Sequence, residues 1–196
     1  VNQAFWDQRY ANILQEADVV YADGMGVVWA SKLFGEALPE RVNLGDCWPQ
    51  LCQRCVRGGY RLFFLGGELG VAQRAAERLM RQIPGLQIVG AHHGHFSASE
   101  SPTLIEQINR TRPHMLLVGM GEPKQEKWIW QHRNELDVPV LWGVGALFDY
   151  YAGKTPRAPV WLRRIGCEWF FRLLVEPRRL WRRYLLGQAF FVLRPC

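Results

Sequence analysis

The chain has no run near the roughly 18 consecutive apolar residues that would mark a membrane-spanning helix, although its 196 residues are 48% hydrophobic. It also lacks the Walker pattern, which argues against a P-loop nucleotide hydrolase. It has no GxGxxG, and the strand that would carry an acidic ribose ligand ends instead in "GAHHGHF", which disfavours a nicotinamide dehydrogenase. No DxD occurs anywhere, so paired aspartates cannot hold a metal on a diphosphate. Any diphosphate here must meet Arg, Lys or helix N-termini instead. The N-terminal residues do not read as a secretory signal.

Acidic residues are scarce in one region only. From Tyr151 onward there are ten Lys/Arg against two Glu, a net +8, within a chain of net +6. The first 150 residues therefore carry a net −2, and the basicity belongs to the tail. Such a block points to anionic partners: lipid headgroups, phosphates or nucleic acid. Cysteines number five, Cys47, Cys52, Cys55, Cys167 and Cys196. The odd count favours a reducing compartment. Cys52 and Cys55 form a lone CxxC within a helical pattern and read as small core residues rather than a metal or redox pair.

Short apolar runs alternate with amphipathic stretches. Strands are expected at 18–22, 61–65, 86–91, 114–119 and 138–144, and helices at 24–35, 46–58, 70–82, 100–111 and 123–136. Nearly continuous apolar strands between helices predict an α/β fold, a Rossmann-like parallel sheet with helices on both faces. Pro156 and Pro159 in "GKTPRAP" mark a boundary, giving a core over 1–155 and a basic helical appendage over 156–196. The chain does not begin with Met, and "VNQAFWDQRYANILQEAD" reads as mid-helix, which predicts further residues upstream.

Ligands of such sheets bind beyond the carboxyl ends of the strands. Four of the expected strands end in glycine-rich turns: "DGMG" at 23–26, "GGELG" at 66–70, "GMGEPKQE" at 119–126 and "GALFD" at 145–149. Their convergence would make a polar, phosphate-sized crevice, with Gly66 and Gly67 opening a helix whose N–H groups suit an anion. Asp23 reads equally as a helix N-cap or as a general base at the crevice mouth. Lys124 and Gln125 follow Pro123 in a helical first turn and face either ligand or solvent. Asp149 reads as a nucleotide contact or as a cap. His92, His93 and His95 have metal-like spacing without an acidic or thiol partner nearby, and read as polar strand-end residues.

The tail "RLLVEPRRLWRRYLLGQAFFVL" has two faces. At 100° per residue, Arg178, Arg179, Arg182 and Arg183 fall within an arc of about 140°. Leu180, Trp181, Tyr184 and Leu185 fill the opposite arc, and Leu186 interrupts the basic side. A basic amphipathic helix with interfacial aromatics suits a membrane surface. A solvated face docked on the body is the plainer reading. Nucleic acid is disfavoured, because the body is acidic and no known binding motif is present.

Taken in order, "ADGMGVVWASKLFG", "PERVNLGD", "FFLGGELGVAQRAAERL", "GMGEPKQEKWI", "GVGALFDYYAGKTPRAPVW" and "EWFFRLLVEPRRLWRRYL" resemble the WecG/TagA/CpsF glycosyltransferases, glycosyltransferase family 26. The resemblance runs from about residue 12 to 190. It implies a Rossmann-like domain with a C-terminal appendage. It implies inverting transfer of a sugar from a UDP-sugar donor to a polyprenyl-diphosphate-linked N-acetylglucosamine. That acceptor sits at the cytoplasmic face of the cell membrane, and the products are cell-surface polysaccharides such as teichoic acid, enterobacterial common antigen or exopolysaccharide. Typical donors carry N-acetylmannosamine or its uronic acid. By motif, Asp23 resembles the family's base and Arg41 lies near the same pocket. Gln125 and Asp149 match the nucleotide-sugar site. Arg172, Arg179 and Arg182 match appendage arginines that meet the diphosphate. The family is metal-independent and needs no cofactor, and it carries an N-terminal segment with a pocket threonine ahead of this start. The implied partners are the donor, the lipid-linked acceptor and an anionic membrane surface, with no nucleic acid and with a homo-oligomer left open. The rivals are another nucleotide-binding Rossmann-like enzyme and a basic nucleic-acid-binding module.

Overall fold

The structure, a computed structural model, describes residues 2–164, 166–175 and 177–178. They fall into two compact units: residues 44–155, and the residues before 44 together with those after 155.

The unit of residues 44–155 holds the sheet. It begins with α4 (Leu44–Gly58), numbered after α1 (Asn2–Trp6), α2 (Gln8–Gln15) and α3 (Met25–Leu33) of the other unit. Strands β1 (Arg61–Gly66), β2 (Gln87–His92), β3 (Met115–Gly119) and β4 (Val140–Gly143) alternate with α5 (Val71–Gln82), α6 (Ser101–Thr111) and α7 (Lys124–His132), and α8 (Leu147–Tyr151) follows. All strand pairs are parallel, in the order β2-β1-β3-β4. The chain thus leaves β1 to one side for β2 and returns to the other side for β3. The reversal places a topological switch point at the carboxyl ends of β1 and β3, where open α/β sheets take ligands.

The sequence of β1 explains the two-sided cover. Leu62, Phe63, Phe64 and Leu65 are all fully buried, and successive side chains point to opposite faces. Leu62 and Phe64 pack with Trp48, Cys52, Ala72, Ala75 and Phe148 on one face. Phe63 and Leu65 pack with Leu104, Ile105, Ile108 and Trp128 on the other. Phe64 stacks on Phe148 with ring centroids 4.7 Å apart, an arrangement that adds to simple area burial. Cys52 and Cys55 are core residues of α4, as the helical pattern predicts. Burial, then the neighbouring Cys55 thiol, pushes the Cys52 thiol up to about 12, and burial also raises Cys55. Among the described residues no group of His, Cys, Asp and Glu could hold a metal ion.

The expected strand at 18–22 does not form. Val19 and Val20 are 77% and 60% exposed, and the segment has no strand partner among the described residues. The Ala22 carbonyl accepts the Val42 N–H at 2.9 Å. A parallel strand needs a continuous ladder on at least one side, and one such bond does not supply it. The mid-helix reading of the N-terminus also needs a break: Asp7 caps α2 by accepting the Tyr10 N–H at 3.0 Å. The remaining helices of that unit are α9 (Val160–Arg164) and α10 (Glu168–Val175). Among the described residues no helix is long and apolar enough to cross a membrane.

Candidate functional site

At the carboxyl edge of the sheet, three of the glycine-rich strand ends meet. Gly66 ends β1 beside Gly119, which ends β3. Gly66 has φ +153°, and a Cβ there would run into the Gly119 carbonyl. Only glycine lets the two backbones approach so closely. The Gly67 N–H is engaged by the Gly119 carbonyl at 2.9 Å, and the Gly67 carbonyl takes the Gly94 N–H at 2.8 Å. Gly66 and Gly67 therefore join the end of β1 to the end of β3 and to the segment after β2.

Gln125 ties the next two strand ends together. It is buried in the first turn of α7, and its Oε1 accepts the N–H of Gly121 at 3.2 Å and of Gly145 at 3.1 Å. Its Nε2 donates to Glu126 Oε1 at 2.7 Å. Neither solvent nor an open pocket takes this side chain. It fixes the turn after β3 against the turn after β4. Lys124 is exposed, as its solvent-facing reading has it, and donates to the Gly94 carbonyl at 2.8 Å.

Asp149 lies in the first turn of α8 with its side chain 18% exposed. The N-cap of α8 is Ala146, so Asp149 is not the cap. Lys154 Nζ lies 2.6 Å from Glu68 Oε1 and 3.7 Å from Asp149 Oδ1, joining the turn after β1 to the turn after β4. Lys154 lies in the turn after α8 and is a charged group that the strand-end motifs do not single out. Its signal, a Lys directly after the last glycine turn, was present in "GKT". His92 is the last residue of β2, and His93 and His95 follow it, with His93 Nδ1 accepting the His95 N–H at 3.3 Å, as polar strand-end residues do.

The other unit holds the second cluster. Asp23 immediately precedes α3, yet the N-cap of α3 is Gly24, with no side-chain capping bond. Asp23 Oδ1 instead accepts the Asn43 amide at 2.7 Å. Asn43 Oδ1 accepts Arg157 Nη2 at 2.8 Å. Glu168, 7% exposed, lies between two guanidinium groups: Arg41 Nη1 at 3.4 Å and Arg157 Nε at 3.6 Å. A buried carboxylate is tolerable only when paired in this way. Sequence reasoning identified Asp23 and Arg41 but not Asn43, Arg157 or Glu168. Their motifs, "PERVN", "TPRAP" and "CEW", are legible, but not their pairing across 114 residues.

Arg172 lies in α10, half-buried. Arg179 and Arg182 lie outside the described residues, as does the helical plot beyond Arg178. Val160, Trp161, Phe170 and Leu174 are exposed apolar side chains on α9 and α10.

The model of the Glycosyl transferase WecG/TagA/CpsF family matches residues 1–196. A Bacillus spizizenii protein named N-acetylglucosaminyldiphosphoundecaprenol N-acetyl-beta-D-mannosaminyltransferase is 34% identical over 183 residues, 93% of this chain and 70% of its own length. A Staphylococcus aureus protein of the same name is 32% identical over 182 residues, 93% of this chain and 71% of its own.

Proposed function

The chain belongs to the WecG/TagA/CpsF family of glycosyltransferases, and from that premise we propose that it moves an N-acetylmannosamine-type sugar from a UDP donor to N-acetylglucosamine on a polyprenyl diphosphate. The observation that carries this reading is the similarity, along 93% of the chain, to two transferases of that name. In the reaction the acceptor hydroxyl oxygen attacks the anomeric carbon from the face opposite UDP. The new C–O bond forms as the old one breaks, and UDP leaves with the electron pair. Asp23 takes the hydroxyl proton, and this single attack opposite the leaving group inverts the configuration at the anomeric carbon. Departing UDP gains negative charge, which donors aimed at it must stabilise.

The glycine crevice of residues 44–155 is the nucleotide-sugar site. Gly66 and Gly67 hold the ends of β1 and β3 together beside the diphosphate, Asp149 contacts the nucleoside, and Gln125 shapes the site by holding two of its loops. Arg41 supports the reacting end. Arg172, Arg179 and Arg182 meet the diphosphate, so no metal or cofactor is required. Residues 1–155 act as the catalytic core and 156–196 as the appendage that stands on an anionic membrane at the cytoplasmic face. The exposed Trp161, Phe170 and Leu174 support that placement.

The test offers the purified protein a panel of UDP-sugars with a short-chain polyprenyl-diphosphate N-acetylglucosamine and reads products by mass. The expected product gains one N-acetylhexosamine. Calorimetric binding of NAD but not UDP, or tight DNA binding without affinity for anionic vesicles, would replace this reading with one of its rivals.

A further inference from the structure

The carboxylate read as the base is held by a relay that begins far away in sequence. The relay runs Asp23, Asn43, Arg157, Glu168, Arg41, each joined to the next by a contact of 2.7, 2.8, 3.6 and 3.4 Å in turn. Chemistry fixes the direction of the central amide. Arginine has donors only, so Asn43 must turn its oxygen to Arg157 and its NH2 to Asp23. An N–H donated to a carboxylate favours the ionised form and holds the group in one rotamer. Arg157 in turn uses two different nitrogens of its fork, Nη2 on Asn43 and Nε toward Glu168. Glu168 spends its other oxygen on Arg41. A base must be ionised and aimed before it can take a proton; the Asn43 N–H is aimed at Asp23 Oδ1, and Arg157 fixes the orientation of that amide.

We propose that Asn43 and Arg157 are positioning residues for Asp23, and that Glu168 sets them in register with Arg41. This rests on the reading of Asp23 as the base.

The test compares Asn43→Ala, Arg157→Lys and Asp23→Asn in the purified protein, with UDP-N-acetylmannosamine as donor and the short-chain lipid diphosphate as acceptor. Lysine keeps the charge of Arg157 but loses the planar fork whose Nη2 and Nε face Asn43 and Glu168 separately. Asn43→Ala and Arg157→Lys are expected to lower kcat about tenfold or more while donor KM stays within about twofold. Both should move the acidic limb of the kcat–pH profile to higher pH, because Asp23 loses a partner that favours its charge. Arg41, Arg157 and Glu168, the charged groups of the relay, are intact in Asn43→Ala, so its shift reports the lost amide. A variant that is merely less stable would show a lower melting temperature with the original limb. If Asn43→Ala does not fold, Arg157→Lys carries the same comparison. Unchanged kcat and an unchanged limb overturn the proposal. With Asp23→Asn inactive, that result removes the relay and leaves the base standing, whereas an active Asp23→Asn removes the base itself.

Discussion

The side-chain oxygen of Gln125 accepts the backbone N–H of Gly145 at 3.1 Å, twenty residues further along the chain. The same oxygen accepts the Gly121 N–H at 3.2 Å. One buried amide thus holds the turns after two neighbouring strands at fixed separation. The shape of the glycine crevice depends on it.

Gln125→Ala leaves two backbone donors without their acceptor and opens a cavity, a loss of about 2–4 kcal/mol. Thermal melts should show a drop of several degrees, and calorimetry a weaker affinity for UDP. Gln125→Glu keeps the acceptor but sets a second carboxylate against Glu126, where the amide now donates at 2.7 Å. The like charge raises the new carboxyl's folded pKa. Stability relative to the parent should therefore be better at pH 5 than at pH 8, because protonation relieves the repulsion. Equal melting temperatures for parent and Gln125→Ala would show that the amide holds nothing.

Gly66→Ala and Gly67→Ala separate steric from conformational cost. At Gly66 the new methyl would strike the Gly119 backbone, which cannot swing away. The expected loss is about 3 kcal/mol or more, read as a melting temperature lower by roughly 10 °C. At Gly67, with φ +68°, the methyl would fall 2.8 Å from Val71 Cγ1 and 2.9 Å from its Cβ, a side-chain contact rather than a backbone one. There the loss should be nearer about 1–2 kcal/mol. A larger loss at Gly67 than at Gly66 would contradict the packing described for β1 and β3.

The buried thiol of Cys52 gives the fold an alkaline weakness. Its pKa rises from 9.0 to about 12 on folding. Between those values the unfolded chain loses the proton and the folded chain keeps it, so stability falls as pH rises above 9. From pH 8 to pH 10 the parent should lose about 1 kcal/mol more than Cys52→Ala in urea melts. The same burial predicts slow alkylation of Cys52 at pH 8 beside the exposed Cys47. Fast labelling of Cys52 in the native protein would refute it.

The appendage arginines are assigned to the diphosphate and not to the nucleoside. Arg179→Ala combined with Arg182→Ala should slow transfer about a hundredfold while UDP affinity changes by less than about tenfold. Unchanged turnover with lost vesicle binding would make the segment an anchor only.

If, as proposed, Arg side chains take the place of a divalent cation at the diphosphate, EDTA should leave turnover within about twofold of the untreated protein. Inhibition that added Mg²⁺ reverses would overturn this assignment.

Much of this molecule is legible along the chain. "LFFL" is apolar at every position, which only a strand covered on both faces can use, and Leu62 to Leu65 are buried on both. Glycine at the ends of β1 and β3 announces backbone contact, because no other residue tolerates it. The spacing of Cys52 and Cys55 matches a helix face, and the core takes both. These features depend on period and local sterics, which a sequence displays directly.

Other features needed partners that lie far along the chain. "DVVYA" has the composition of a strand, yet strand formation depends on a neighbouring strand, and residues 18–22 join no ladder among the described residues. Asp23 could cap a helix or accept a distant amide, and only the arrival of Asn43 decides between them. Gln125 reads as a surface residue of a helical first turn until two loops fold over it. The sequence by itself determined the layers, the parallel sheet and the glycine strand ends, because hydrophobic period and backbone sterics are local. Tertiary structure alone decided which polar groups meet. A hydrogen bond such as that from Arg157 to Asn43 carries no periodic signal, and 114 residues of chain separate its two ends.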